Sequence, residues 1–197
     1  MAYPTVDKPY GLAPVNRIDG MPYAGAIRQI PVATGYATAI CNGDTVKISN
    51  GYIVADTSTD AATPCGVLLG CQYVNSMGQT VQSQFYPAAA ATASNAAYAY
   101  VVDDPMALFK VAVVSGTTVI AGVSRDVVGS NMALVQNTGS TSTGDSAIAV
   151  LSTSSNTTNT LPVRVIDVVP ETKTAADTYV ELLVKINTHQ YNSTTGV

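Results

Sequence analysis

The sequence predicts a mostly β protein, an antiparallel β-barrel or β-sandwich with an extended N-terminal arm. Three observations carry that expectation. Short runs rich in Val, Ile, Thr and Tyr recur along the 197 residues, separated by Asn, Gly, Asp and Pro. About ten such strands at this spacing is the pattern of a barrel or sandwich. No long stretch carries the 3.6-residue apolar period of an amphipathic helix. Charged residues make up only 11% of the chain, against about 25% in ordinary soluble domains. The polar surface must therefore come from Ser, Thr, Asn, Gln and Gly.

Residues 1–32 stand apart and are read as the arm. They hold Pro4, Pro9, Pro14, Pro22 and Pro31, half of the ten prolines, together with Tyr3, Tyr10, Tyr23, Arg17, Met21 and Arg28. Each proline fixes φ and removes a backbone donor, so neither a long helix nor a central strand is expected. The segment is too apolar for a solvated linker. An extended arm with such anchors gains most by lying on another surface. Tyr3, Pro9, Tyr10, Arg17, Met21, Tyr23 and Arg28 are accordingly the candidate residues for an interface with a neighbouring molecule or with further copies of the chain. Tyrosine joins a large apolar face to a polar tip, and the chain has 11 Tyr, 2 Phe and no Trp.

Residues 33–188 form the expected β-rich domain. The run 29–40 reads as a strand entering it. Asn42-Gly43 and Asn50-Gly51 suit the positive φ values of type I′ turns, and between and after them Thr45-Val46-Lys47-Ile48 and Tyr52-Ile53-Val54-Ala55 alternate as half-buried strands. The run 65–74 (CGVLLGCQYV) is nearly continuously apolar, the mark of a strand buried on both faces or at an interface. Residues 80–86 alternate again. The alanine-rich 87–99 lacks a periodic apolar face and reads as a loop or short helix, followed by a strand over 98–102. Asp103-Asp104-Pro105 is a turn, more often solvated than catalytic. Strands are expected over 107–115 and 117–124, and a short helix or loop and strand over 126–136. The Thr/Ser/Gly/Asn stretches 137–144 and 152–160 read as solvent-facing loops flanking a strand at 146–151. Strands over 161–169 and 179–187 close the domain, and 189–197 is expected as a polar tail outside it.

Composition lowers several function classes. A net charge of −4 gives no footprint for nucleic acid, which needs clustered Lys and Arg. No apolar run reaches the length of a transmembrane helix, and the start lacks the apolar core of a signal peptide. Cys41, Cys65 and Cys71 are odd in number, contain no CxxC pair and read as reduced, buried thiols. With His189 the single histidine, neither a zinc site nor a Ser-His-Asp arrangement is expected. Asp56 and Asp60 offer at most a weak calcium site without an EF-hand pattern. We expect no enzyme activity, no cofactor and no resident metal.

The stretches PTVDKPYGLAPVNRIDGMPYAGAIRQIPVATGYATAICNGD, YVVDDPMALFKVAVVSG, VRVIDVVPET and VKINTHQYNSTTGV are similar to virion structural proteins of marine tailed bacteriophages, across the whole chain. That resemblance implies a β-rich capsid decoration or cement protein on the outer surface of the assembled head, put together in the host cytoplasm. The implied partners are the major capsid protein and further copies of the chain, with a homotrimer at the local threefold axes as the expected form. The family has no catalytic signature to carry across. Two other readings stay open: a tail, connector or fibre-associated virion protein, and a carbohydrate-binding β-domain that touches the host surface.

Overall fold

A computed structural model describes residues 6–92, 94–194 and 196. The strands are β1 (Ala13–Arg17), β2 (Arg28–Val32), β3 (Thr45–Ser49), β4 (Tyr52–Ala55), β5 (Gly66–Val74), β6 (Thr80–Ser83) and β7 (Ala97–Val102). They continue with β8 (Ala107–Val114), β9 (Asn131–Met132), β10 (Leu134–Val135), β11 (Ala149–Leu151), β12 (Val163–Val168) and β13 (Glu181–Ile186). The helical content among the described residues is three short 3₁₀ turns, at Arg125–Val127, Pro170–Thr172 and Gln190–Asn192.

Two small barrels share the chain. In the first, β3, β4, β2, β7 and β5 neighbour one another in that order, and β3 pairs again with β5 to close the ring. β6 continues the sheet beyond β5. In the second, β8 lies between β13 and β11, β13 is followed by β12 and β9, and β11 by β10. β9 and β10 are separated by Ala133 alone, so the segment 131–135 joins both ends of the sheet. Closure removes the unpaired edges that an open sheet presents.

Local chemistry explains the clearest turn. Asn50 has φ 50° and Gly51 φ 82°, the two positive values of a type I′ turn, and Ser49 pairs with Tyr52 on either side. Asn42-Gly43 behaves differently. Only Gly43 has positive φ there, Asp44 N–H donates to the Cys41 carbonyl at 3.1 Å, and residues 33–39 form no strand. The hairpin expected at that position is therefore a loop turn. A strand is also missing over 117–124, where isolated bridges join Ile120 to Val114 and Val123 to Tyr179.

Each barrel has its own core. Ile40, Ile53, Cys65, Leu68, Cys71, Tyr86 and Val101 fill the first. Phe109, Met132, Leu134, Val163, Leu182, Val184 and Ile186 fill the second. Burying one such large apolar side chain stabilises the fold by about 1.5–3 kcal/mol. Leu12, Ala62, Val67 and Val102 also pack into the second core, although Val67 and Val102 sit on strands of the first barrel. The two cores thus meet across a common wall. The Tyr86 hydroxyl, deep in the first core, donates to the Tyr36 carbonyl at 3.2 Å and accepts from Ala91 N–H at 3.1 Å.

The boundary expected at residue 32 does not separate an arm from a body. Within the described part of that segment, β1 pairs antiparallel with β8, β2 pairs antiparallel with β7, and Leu12 is buried in the second core. The prolines are tolerated because Pro14 lies on a strand beside a bulge, where the register shifts between Pro14 and Asn16. The C-terminal tail is likewise part of the fold. His189 and Gln190 are buried, and Gln190 N–H donates to the Pro64 carbonyl at 3.0 Å. The loops 137–144 and 152–160 are mostly exposed. Among the described residues no helix is long and apolar enough to cross a membrane.

Candidate interaction surface

The candidate surface is built on the turn that leaves β1. Arg17 N–H donates to the Met21 carbonyl at 3.0 Å, Gly20 N–H to the Arg17 carbonyl at 3.1 Å, and Asn16 bridges Pro22. This folds residues 16–22 into a tight projecting hairpin. Ile18 N–H donates to the Met106 carbonyl at 2.9 Å, which ties the projection to the turn between β7 and β8. Met21 is 60% exposed and Ile27 48%, while Val15, Ile18 and Met106 are exposed to a smaller extent. Val15 is the residue that the β1 bulge leaves out of register.

Two adjacent carboxylates hold this projection in place. Arg17 Nε lies 3.3 Å from Asp104 Oδ2, with Arg17 Nη2 3.1 Å from Asp19 Oδ2. Arg28 Nε lies 2.8 Å from Asp103 Oδ2, and its guanidinium stacks 5.1 Å from the Tyr191 ring centroid. Tyr191 donates its hydroxyl to Asp103 at 3.1 Å. Asp103-Asp104, expected as a solvated turn, is thus the clamp that receives one arginine from each end of the 17–28 segment.

A second anchor lies upstream. Tyr10 donates its hydroxyl to Glu181 Oε1 at 2.5 Å, and Lys110 Nζ lies 3.3 Å from the same oxygen and 5.6 Å from the Tyr10 ring centroid. Burial, with the Glu181 carboxylate beside it, pushes the Tyr10 hydroxyl far above the usual phenol range. Glu181 is almost fully buried, so its charge depends on Lys110 and Tyr10 for compensation.

The seven residues expected at an interface therefore divide. Tyr3 lies outside the described residues. Pro9 is buried, and Tyr10 is spent on Glu181. Arg17 and Arg28 are held in ion pairs, although Arg28 keeps half its side chain exposed. Tyr23 is half-buried against the second core, with its hydroxyl donating to the Ala26 carbonyl at 3.3 Å. Met21 alone presents an apolar side chain outward without an internal use. Sequence reasoning missed Val15, Ile18, Ile27 and Met106, since a lone aliphatic residue carries no local sign of exposure.

The remaining chemistry is structural. His189 Nδ1 accepts from Tyr191 N–H at 3.2 Å and caps the last 3₁₀ turn. Its Nε2 has no hydrogen-bond partner among the described residues, and burial lowers its pKa to about 4. A hollow of about 270 Å³ at the seam of the barrels is lined by Cys41, Asp44, Asp56 and Gln136, among others. Asp56 is fully used, receiving Lys47 Nζ at 3.3 Å and the N–H groups of Ser58 and Thr63 at 3.3 and 2.8 Å. Burial raises Asp44 and pushes the thiols up, Cys41 to about 11 and Cys65 and Cys71 to about 12. All three cysteines are free, and at neutral pH they are protonated and unreactive. Among the described residues no group of three or more His, Cys, Asp or Glu side chains comes together as a metal site.

No family model, curated protein or solved structure matches this chain.

Proposed function

We propose that this protein is a decoration or cement protein of a tailed-phage capsid, binding the outside of the assembled head through contacts with capsid subunits and neighbouring copies. The observation that carries the reading is the set of exposed apolar side chains Val15, Ile18, Met21, Ile27 and Met106, on and beside the 17–28 segment that Asp103 and Asp104 hold. Exposed apolar side chains near one another on a surface are the mark of a docking site. A protein that binds the assembled shell and not its free subunits stabilises the shell by mass action. Repetition over a symmetric lattice lets modest contacts act together.

The test is a binding assay on purified, undecorated heads of the parent phage, followed by copy counting. The unaltered protein is expected to occupy a site repeated over the whole head surface and to raise the temperature at which heads disrupt. Met21→Glu with Ile27→Glu is expected to abolish binding while leaving the melting temperature of the free protein unchanged. Occupancy of a single vertex would favour the tail or connector reading, and unimpaired binding by the double variant would remove the projection from the account.

A further inference from the structure

The chain has nine Lys and Arg side chains, and six of them pair with carboxylates. Among the described residues, Lys8, Arg164 and Lys185 make no such ion pair. Arg164 and Lys185 stand directly opposite each other across β12 and β13. Both lie on the outer face of the second barrel, because Val163, Val165, Val184 and Ile186 beside them fill its core. Like charges at directly opposed positions repel and cost stability. The guanidinium is nevertheless held in place. Arg164 Nε donates to Asn131 Oδ1 at 2.9 Å, and Asn131, only 2% exposed, is fixed in turn by donating Nδ2 to the Thr158 carbonyl at 2.9 Å. That bond takes Nε and leaves the two terminal nitrogens of Arg164 for a further partner. The carboxylates on the rows beyond are already taken, Asp167 by Arg125 at 2.9 Å and Glu181 by Lys110 at 3.3 Å and by Tyr10.

We propose that Arg164 and Lys185 together form a binding site for one carboxylate, supplied by an acidic residue of a partner protein. A planar guanidinium grips a carboxylate through two parallel bonds, and the lysine adds a mobile point charge. An anion between the two cations turns their repulsion into two attractions. A polyanion such as nucleic acid fits badly, since the chain as a whole carries −4 and repels extended negative charge. A single carboxylate meets only the local excess of positive charge. The position also suits a protein partner. The register runs from Arg164 through Lys185 and Leu108 to Asn16 on β1, next to Val15 of the exposed apolar set. Ordinary strand spacing puts Lys185 about 10 Å from β1, so one interface of common size spans both features. The proposal rests on the decoration reading only for which protein supplies the carboxylate.

The experiment follows the Arg164 Nε and Lys185 Nζ resonances of the full chain while the blocked peptide acetyl-Gly-Glu-Gly-amide is added, with chloride at matched ionic strength as control. Both resonances are expected to shift saturably with the peptide and not with chloride. Lys185→Gln is expected to weaken that binding about tenfold, the loss of one charge-assisted bond, and Lys185→Arg to retain it. The melting temperature of Lys185→Gln is expected to equal or exceed the parent's, because the like-charge opposition is gone. The Met21→Glu, Ile27→Glu double variant is expected to keep the peptide response, which separates this site from the apolar contact. Shifts that follow ionic strength alone overturn the proposal. So does a lower melting temperature for Lys185→Gln, which would make the lysine structural. Saturation by inorganic phosphate and not by the peptide also overturns it, and assigns the pair to a phosphate. The titration needs no heads, so a parent chain that fails to bind heads removes the decoration reading while the peptide still decides this one.

Discussion

Gln190 and Ile48 form a reciprocal amide pair. Ile48 N–H donates to Gln190 Oε1 at 2.8 Å, and Gln190 Nε2 donates to the Ile48 carbonyl at 3.1 Å. A side chain from the C-terminal segment thereby takes the place of a missing strand beside β3. Thr188 adds a bond from its hydroxyl to the Ala62 carbonyl at 2.6 Å. Together they fasten the chain leaving the second barrel onto the first.

Removing that pair strands two backbone groups. Gln190→Ala should lower stability by about 1–3 kcal/mol, the cost of leaving a buried donor and acceptor unpaired. Gln190→Glu keeps the acceptor but loses the donor and should be at least as harmful. Urea denaturation checks both, and a midpoint unmoved by either change would show that the pair contributes nothing.

Tyr10→Phe deletes one hydroxyl and leaves Glu181 buried with Lys110 as its single remaining side-chain partner. The expected loss is about 1.5–3 kcal/mol, appropriate to a hydrogen bond to a charged group. Glu181→Gln should cost less in the Tyr10→Phe background than in the parent, because the two changes remove the same contact. A double-mutant cycle by thermal melting measures this coupling, and additivity would count against the network.

His189 makes stability depend on acid. Its folded pKa of about 4 lies below the ordinary value near 6.5, so the unfolded chain binds the proton more readily. The stabilising contribution is complete above about pH 6.5 and is lost as pH falls towards 4. Melting temperature should therefore drop across that window. A His189→Gln variant, though less stable at pH 7, should show a shallower drop. Asp44, raised by burial, acts in the opposite sense, which is why the comparison is made between variant and parent. Parallel pH profiles would exclude His189 as the cause.

Deleting residues 2–30 should not release a folded β-body. The cut removes β1 and most of β2, which opens the ring of the first barrel and exposes the β8 edge of the second. The expected product is insoluble or lacks a cooperative melt, whereas the Met21→Glu, Ile27→Glu double variant melts as the parent does. A soluble truncated protein with a sharp transition would contradict the strand pairings described above.

Strands with local signals were legible in the sequence. Asn50-Gly51 marks the β3–β4 turn because both positions need positive φ. The apolar run at 65–74 marks β5, whose residues 66–71 are buried apart from Leu69. β1 was hidden because Pro14 argues against any strand, and the bulge that accommodates it has no local code. Ring closure rests on β3 meeting β5 and on β2 meeting β4 in parallel, pairings between distant residues that no short window reveals. The Asp103-Asp104 dipeptide looks like an ordinary turn until its arginines arrive from residues far upstream. The same is true of His189, whose burial follows from where Gln190 binds and not from its neighbours in sequence.

The chain changes barrels three times: β1 belongs to the second, β2 to β7 to the first, β8 to β13 to the second, and Gln190 returns to the first. During synthesis, Ala13 must wait for Lys110, its partner across β1 and β8, to leave the ribosome. Ile48 waits longer still, for Gln190. Neither barrel can therefore be complete before residues 181–190 have emerged, and such distant pairing makes folding slow. The half-made chain meanwhile carries uncharged β-strands without their neighbours, a state in which holding chaperones would find the most to bind.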